Sequence, residues 1–248
     1  MLWGSFGVVH ILSLLIGAGL IIGLYLLLRR LDAKTQTVVL GILSFSGIAA
    51  IIFNLVAWDS PYEYLPLHLC SLTALVLPVA VFTRSKVLGN LLLLWSLGAV
   101  MALVVNTAQA NFEICSATFA FYFFPHLLEF GIPILLVSLG LVKKDMKCIG
   151  TTLLITVCVL ILVHFANVAL NSYFAANQIL NPSGVLIQVN YMYTIQPENP
   201  LLSLFWSLIP YPFWYLLPVV VIILVYLLLV YSKQMVGCFR KKHSAANQ

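Results

Sequence analysis

The chain has 248 residues, of which 62% are apolar and only 8% are charged, and its mean hydropathy is +1.09. Soluble globular domains are nearer 45–50% apolar and about 25% charged, so this composition excludes a soluble enzyme. It also excludes a disordered chain, which needs low hydrophobicity and many charges. The net charge of +5 does not indicate nucleic-acid binding, because the basic residues are scattered over short loops and form no stripe. The chain is therefore predicted to be a membrane protein with several spanning segments.

Seven stretches are apolar enough and long enough to cross a bilayer, which requires roughly 20 residues for each helix. Pro125 and Pro133 lie in the fifth stretch and predict a kink or a broken helix there. Prolines at the start of the seventh stretch predict an irregular opening before a regular run from Val219 to Val230. No stretch has the alternation of a membrane β-barrel. We predict an all-α fold, a polytopic membrane bundle of seven transmembrane helices at about 2–28, 37–58, 64–83, 87–106, 116–142, 149–174 and 203–232.

The charged residues predict how this bundle is oriented. With seven spans, all twelve lysines and arginines fall on one side, and the loops of the other side carry only acidic charges. The positive-inside rule then places the amino terminus outside and the carboxyl terminus in the cytoplasm. The chain is thus expected to be a multi-pass protein of the cell membrane. It has a single transmembrane domain at 1–232 and a basic cytoplasmic tail at 233–248.

Several ionisable side chains lie inside the apolar stretches, and each is a candidate functional residue because burying such a group in lipid is costly. At a rise of about 1.5 Å per residue, most of them fall in one band in the outer half of the bundle. Asn54 lies at the outer turn of the second span. Taken one at a time, a cysteine can be an apolar filler and a histidine a bridge between helices, so the shared depth favours a site. The members of this band are His10, His68, Cys70, His126, Glu129 and His164.

Helical spacing refines the chemistry of this band. His126 and Glu129 are three residues apart and share a helix face, so the carboxylate could orient the imidazole. His68 and Cys70 are two residues apart and face different neighbours, so a base for Cys70 must come from another helix. His10, His126 or His164 could supply it. A thiol buried in apolar surroundings without such a base is inert.

Four segments then resemble a known family. The run Leu65-Pro66-Leu67-His68-Leu69-Cys70-Ser71 resembles the L-P-x-H-L-C motif of the YwaF-like bacterial integral membrane proteins, which are relatives of the animal transmembrane protein 164. The segment 123–126 resembles the F-F-x-x-H segment of the family, although Pro125 stands where a serine is usual. The segment Asn190-Tyr191-Met192-Tyr193 and the proline- and tryptophan-rich opening at 210–215 complete the resemblance. It implies a seven-helix fold and phospholipid acyltransferase activity, with Cys70 as the acyl-carrying nucleophile and His126 as its partner.

The first hypothesis is therefore a membrane-embedded acyltransferase or acyl hydrolase that needs no cofactor or metal. Cys70, deprotonated by His126, would form a thioester with an acyl group of a membrane phospholipid, and a lysophospholipid or water would accept it. Glu129 would orient the ring of His126, as the third group of a triad does. The expected substrate-binding residues are His68, Asn54, His164, His10, Asn190 and Tyr191.

Two other hypotheses stay open at this point. The first is a metal-dependent intramembrane hydrolase in which His10, His126 and His164 hold zinc and Glu129 is the general base, although no H-x-x-x-H spacing is present. The second is a protein that binds or transports a small solute, although the odd number of spans and the lack of an inverted repeat argue against the common transporter designs. The sequence leaves the oligomeric state undecided.

Overall fold

The structure, a computed structural model, describes residues 2–4, 6–58, 60–105 and 112–246, with side chains described as far as residue 237. The last residue of the predicted fourth span and the last two residues of the predicted tail lie outside the described residues. Apart from a short antiparallel pair, β1 (Leu2–Trp3) and β2 (Phe112–Glu113), and one isolated bridge, the regular structure of the described part is helical. The predicted all-α class is confirmed.

The described helices differ in whether they are long enough to cross a bilayer. Six helical segments have the length and the apolar composition to cross a membrane, with the adjoining α2 and α3 counted as one. The shorter α4 has 15 residues and spans about 22 Å at 1.5 Å per residue, against roughly 30 Å of hydrocarbon in a bilayer. The helices are α1 (Val8–Leu28), α2 (Ala33–Ser44), α3 (Ser46–Ala57), α4 (Leu69–Thr83), α5 (Lys86–Val104), α6 (Ala117–Ser138), α7 (Ile149–Ala176), α8 (Pro200–Leu208) and α9 (Leu217–Ala246).

Three boundaries bear on the sequence expectations. α6 runs on through Pro125 and Pro133, so the broken helix expected in the fifth span is absent, while the kink expected as its alternative stays a prediction. Both prolines are buried, and packing along α5 outweighs the backbone hydrogen bond that each removes. The second span is instead divided at Phe45, which ends α2 and precedes α3. The irregular opening of the last span is confirmed, because α8 and a 3₁₀ turn at Trp214–Leu216 precede α9.

The centre of the bundle is formed by α5 and α6. Their spanning segments are 56% and 50% buried inside the protein, against 11% for α1 and α7. The main apolar core joins these two helices to α4 and α9, through side chains such as Leu77, Leu92, Ile132 and Leu227. A side chain that α6 directs inward is therefore enclosed by protein, whereas most of the surface of α1 and α7 is left free to face lipid.

One end of the bundle gathers lysine and arginine residues, and we call it the basic end. Arg84 follows α4 and donates through Nη2 to the carbonyl of Ala33 at 2.8 Å. Lys86 forms an ion pair with Asp145 at 3.0 Å. The amide of Asn90 donates to the carbonyl of Lys143, and its oxygen accepts from the backbone N–H of Asp145. These bonds tie the loops after α1, α4 and α6 together.

The other end, which we call the opposite end, is held by hydrogen bonds between its loops and the helices. His10 on α1 bonds to the carbonyl of Leu103 on α5 at 2.7 Å. His68 at the start of α4 accepts a hydrogen bond from the backbone N–H of Met192. Since Arg84 follows the last residue of α4, this helix connects the two ends.

Candidate functional site

Cys70 lies in the first turn of α4 and is half-buried. His68 precedes the helix with extended backbone angles, and its carbonyl accepts the first helical bond, from the N–H of Leu72. The first N–H groups of a helix have no partner within the helix and favour negative charge. The N–H groups of Cys70 and Ser71 lie near the Cys70 sulfur, as does the hydroxyl of Ser71. These groups favour a thiolate at this position, whereas burial of the sulfur opposes it.

His126 is held in one tautomer by its own helix. Its Nδ1 lies 2.6 Å from the carbonyl oxygen of Tyr122, one turn earlier on α6. A carbonyl oxygen can only accept a hydrogen bond, so Nδ1 carries the proton and the neutral ring keeps a lone pair on Nε2. The ring of Tyr122 packs against the imidazole with 4.5 Å between centroids. His126 therefore offers a base at Nε2.

His68 is held in the other tautomer. The backbone N–H of Met192 lies 3.2 Å from Nδ1 of His68, and since an N–H group can only donate, Nδ1 is the acceptor and Nε2 carries the proton. The rings of Tyr191 and Tyr193 pack on either side, with centroids 5.4 and 5.5 Å away. His68 and His126 are close enough to interact electrostatically. The two imidazoles thus differ in function, because His68 presents a donor and His126 an acceptor.

Glu129 is enclosed where α6 meets α3 and α4. Its side chain is only 3% exposed, and its Oε2 has no hydrogen-bond partner among the described residues. It interacts electrostatically with His126 and Cys70. The sequence suggested that Glu129 orients the imidazole, but Nδ1 of His126, which a carboxylate would orient, bonds to the Tyr122 carbonyl instead.

The structure therefore brings the three predicted catalytic residues into one neighbourhood. The electrostatic interactions link Cys70 and His126 through Glu129, and they add Tyr122 and Tyr193. These two tyrosines were not predicted as site residues. Tyr122 precedes His126 by one helical turn, a spacing that allows contact but indicates no chemistry, and Tyr193 reaches the site from a distant loop.

Other predicted residues have structural partners or lie elsewhere. His10 is fully buried, and both its ring nitrogens bond to backbone groups, the carbonyl of Leu103 and the N–H of Phe6. It fastens α1 to α5. Asn54 is half-buried on α3, and its side chain forms no hydrogen bond with another described residue. His164 lies on α7, with Nδ1 3.1 Å from the hydroxyl of Thr194.

Asn190 and Tyr191 shape the loop that carries Met192 and Tyr193. The Asn190 amide donates to Glu198 at 2.7 Å, and its oxygen accepts from backbone N–H groups further along the loop. The Tyr191 hydroxyl donates to the carbonyl of Tyr62, and burial raises the pKa of Tyr191 to about 12, so it stays a donor. Met192 and Tyr193 both have left-handed backbone angles, with φ of 53° and 56°, which non-glycine residues adopt only when their surroundings hold them there.

The loop is fastened to α7 by two asparagines one turn apart. Asn167 is fully buried, accepts from the N–H of Tyr191 at 3.0 Å, and donates to the Tyr191 carbonyl and the Thr194 hydroxyl. Asn171 exchanges the same pair of bonds with the backbone of Val189. Each of these amides both donates to and accepts from the loop backbone, as a neighbouring β-strand would. They thereby fix the backbone N–H of Met192, which donates to His68.

Together these features define a multi-pass helical membrane protein in which a cysteine at a helix start and a histidine of the central helix both interact electrostatically with one buried glutamate. Comparison with known protein families matches the chain to the TMEM164 family over residues 5–231. The chain belongs to this family. No curated protein and no solved structure gives a significant match.

Proposed function

We propose that α4 is a seventh span and that the seven helices place the amino terminus outside and the carboxyl terminus in the cytoplasm. The contacts of α4 with both ends of the bundle support this topology. Residues 1–232 would then form the transmembrane domain, and 233–248 a basic cytoplasmic tail, of which the part up to Ala246 belongs to α9. The basic end faces the cytoplasm of a cell membrane in this arrangement, and Cys70 lies in the outer half of the bilayer.

In this membrane the protein acts as an acyltransferase or acyl hydrolase on phospholipids. The thiol proton of Cys70 passes to Nε2 of His126, and the sulfur attacks the carbonyl carbon of an acyl ester. As the tetrahedral intermediate collapses, the ester C–O bond breaks and His126 returns the proton to the leaving glycerol oxygen. The products are a Cys70 thioester and a lysophospholipid. An acceptor hydroxyl, from another lysophospholipid or from water, then gives its proton to His126, attacks the thioester and releases the thiol.

The observation that carries this proposal is the pair of opposite tautomers beside the helix start. A thiol becomes a nucleophile only when a base removes its proton, and His126 has its Nε2 lone pair available for this. The N–H groups of the first turn of α4 stabilise the thiolate. His68 presents an Nε2–H, which is the donor that the carbonyl oxygen needs as it becomes negative.

In this mechanism Glu129 is a buried carboxyl group that interacts with the charges that develop on His126 and Cys70. Its electrostatic interaction with His126 favours the imidazolium that forms when the proton moves, whereas its interaction with Cys70 disfavours two negative charges side by side. Asn190 and Tyr191 act as positioning residues, because their polar atoms bond to the loop and to Tyr62. We also propose that Asn54 and His164 contact the lipid substrate. Within its family, the chain is proposed to belong to the YwaF-like branch.

The zinc hypothesis has less support from the side chains. Within the described ranges, no three histidine, cysteine, aspartate or glutamate residues are grouped closely enough to hold a metal ion. Of the three histidines that this hypothesis requires, His10 has both nitrogens in protein hydrogen bonds and His126 uses Nδ1 for its own helix. A thiol mechanism needs no such group.

The experiment is an acyl-transfer assay with the full chain in lipid nanodiscs. A phospholipid with an isotope-labelled acyl chain and an unlabelled lysophospholipid are supplied, and the labelled products are measured by mass spectrometry. We expect transfer, or release of labelled fatty acid, by the wild type and a loss of at least 100-fold in Cys70→Ser and His126→Gln. Cys148→Ser is the control, because this buried cysteine lies at the basic end. Equal activity of wild type and Cys70→Ser would refute the proposal.

A further inference from the structure

Tyr193 differs from its neighbours Tyr191 and Tyr215 in the hydrogen bonding of its hydroxyl group. The hydroxyls of Tyr191 and Tyr215 donate to the carbonyls of Tyr62 and Tyr193, respectively. The Tyr193 hydroxyl has no hydrogen-bond partner among the described residues, although its side chain is only partly exposed. A phenol in a protein interior normally finds a partner, so this one is free to bond to a molecule that enters the site.

The position of this phenol is fixed by the chain around it. Its backbone is left-handed, its N–H donates to the carbonyl of Asn190 at 3.0 Å, and its own carbonyl accepts from Tyr215. Its ring packs against that of His68, two residues before Cys70. The side chain is thus held beside the start of α4 by several constraints, and it needs no rearrangement when a substrate binds.

We propose that Tyr193 is a catalytic residue whose hydroxyl, together with Nε2–H of His68, donates to the carbonyl oxygen of the acyl ester that Cys70 attacks. This inference rests on the proposed function and adds to it the second donor of the oxyanion site. As the sulfur–carbon bond forms, the carbonyl electron pair moves to the oxygen, and two donors on one side share that charge. When the pair returns, the ester bond breaks and both donors keep their protons.

Two further observations agree with this role. Tyr193 interacts electrostatically with Cys70, so the phenol and the thiol are near each other. Burial raises the pKa of Tyr193, with smaller contributions from Glu198 and Cys70. The phenol therefore remains protonated at neutral pH and can donate.

The test compares Tyr193→Phe with two other tyrosine variants in the full chain. The first measurement is the rate at which Cys70 takes up an acyl group from labelled phosphatidylcholine in nanodiscs. The second is the rate at which N-ethylmaleimide alkylates Cys70, which needs the thiolate but no oxyanion donor. We expect Tyr193→Phe to slow acylation by about 100-fold, with unchanged alkylation and an unchanged melting temperature, because the Tyr193 hydroxyl bonds to none of the residues that the structure describes.

The comparison variants separate this effect from loss of structure. Tyr191→Phe removes a buried hydrogen bond to Tyr62 and should lower the melting temperature. Tyr211→Phe alters an exposed ring and should change neither rate. Normal acylation in Tyr193→Phe would overturn the inference, and so would an equal fall in acylation and alkylation. If the wild type takes up no acyl group at all, the proposed function itself is wrong and the role of Tyr193 with it.

Discussion

Asn167→Ala should detach from α7 the loop that carries Tyr191 and Thr194. The Asn167 side chain makes three buried hydrogen bonds to the loop, two to the backbone of Tyr191 and one to Thr194. At about 1 kcal/mol net for each bond, their loss makes opening of the loop easier by about 3 kcal/mol. Since 1.4 kcal/mol is a factor of ten, the open loop becomes about 100-fold more populated.

The assay is amide hydrogen exchange at Val189. Its N–H donates to Asn171 at 2.7 Å, a bond that the substitution leaves in place. Faster exchange there reports opening of the whole loop and not the loss of one contact. The control is Asn177→Ala, since this exposed amide bonds only to the carbonyl of Tyr173 on its own helix. Unchanged protection of Val189 in Asn167→Ala would refute the idea that Asn167 holds the loop.

Further outcomes follow from packing and charge. A Cβ on Gly47 would lie 2.5 Å from the Cβ of a residue on α4, so Gly47→Ala should lower the free energy of unfolding by about 1–3 kcal/mol, measured by denaturation in detergent. Gly19→Ala has open space around it and should cause no loss of stability, because alanine is the better helix former. The backbone N–H of Lys147 and the ammonium of Lys86 lower the pKa of Asp145 from 3.8, so the stability from this carboxylate is present above that pH. This stability is lost as the pH falls through the lower pKa that Asp145 has in the folded protein. Melting curves of Asp145→Asn should therefore show a smaller loss of melting temperature in acid than those of the wild type. An equal loss in both proteins would contradict this prediction.

The sequence predicted the helices well and their interruptions poorly. Apolar runs separated by charged loops determine where a chain can span lipid, since every backbone group must be satisfied within the helix. Whether a proline breaks a helix depends on its neighbours, and α6 continues through Pro125 and Pro133 because both are packed inside the protein. The division at Phe45 is flanked by Ser44, Ser46 and Gly47, residue types that favour a kink but that also occur within uninterrupted spanning helices.

The sequence predicted which residues share a depth in the bundle, but not how their side chains are bonded. Similar depth on separate helices placed Cys70 and His126 together, but depth does not reveal which nitrogen of a ring is free. That depends on single bonds to Tyr122 and Met192, which join atoms that sequence spacing does not relate. For the same reason His10 was a candidate until its two backbone bonds gave it a structural role.

The most direct measurement of the central claim is the mass of the Cys70 peptide after the protein has been incubated with a phospholipid carrying a labelled acyl chain. One acyl group is expected on this cysteine in the wild type, and neutral hydroxylamine should release it because it is held as a thioester. Its formation should slow sharply in His126→Gln. The Cys70 thioester mechanism would be contradicted if labelled fatty acid were released by a folded wild-type protein while Cys70 stayed unmodified. An acyl group found at another residue would also contradict this mechanism.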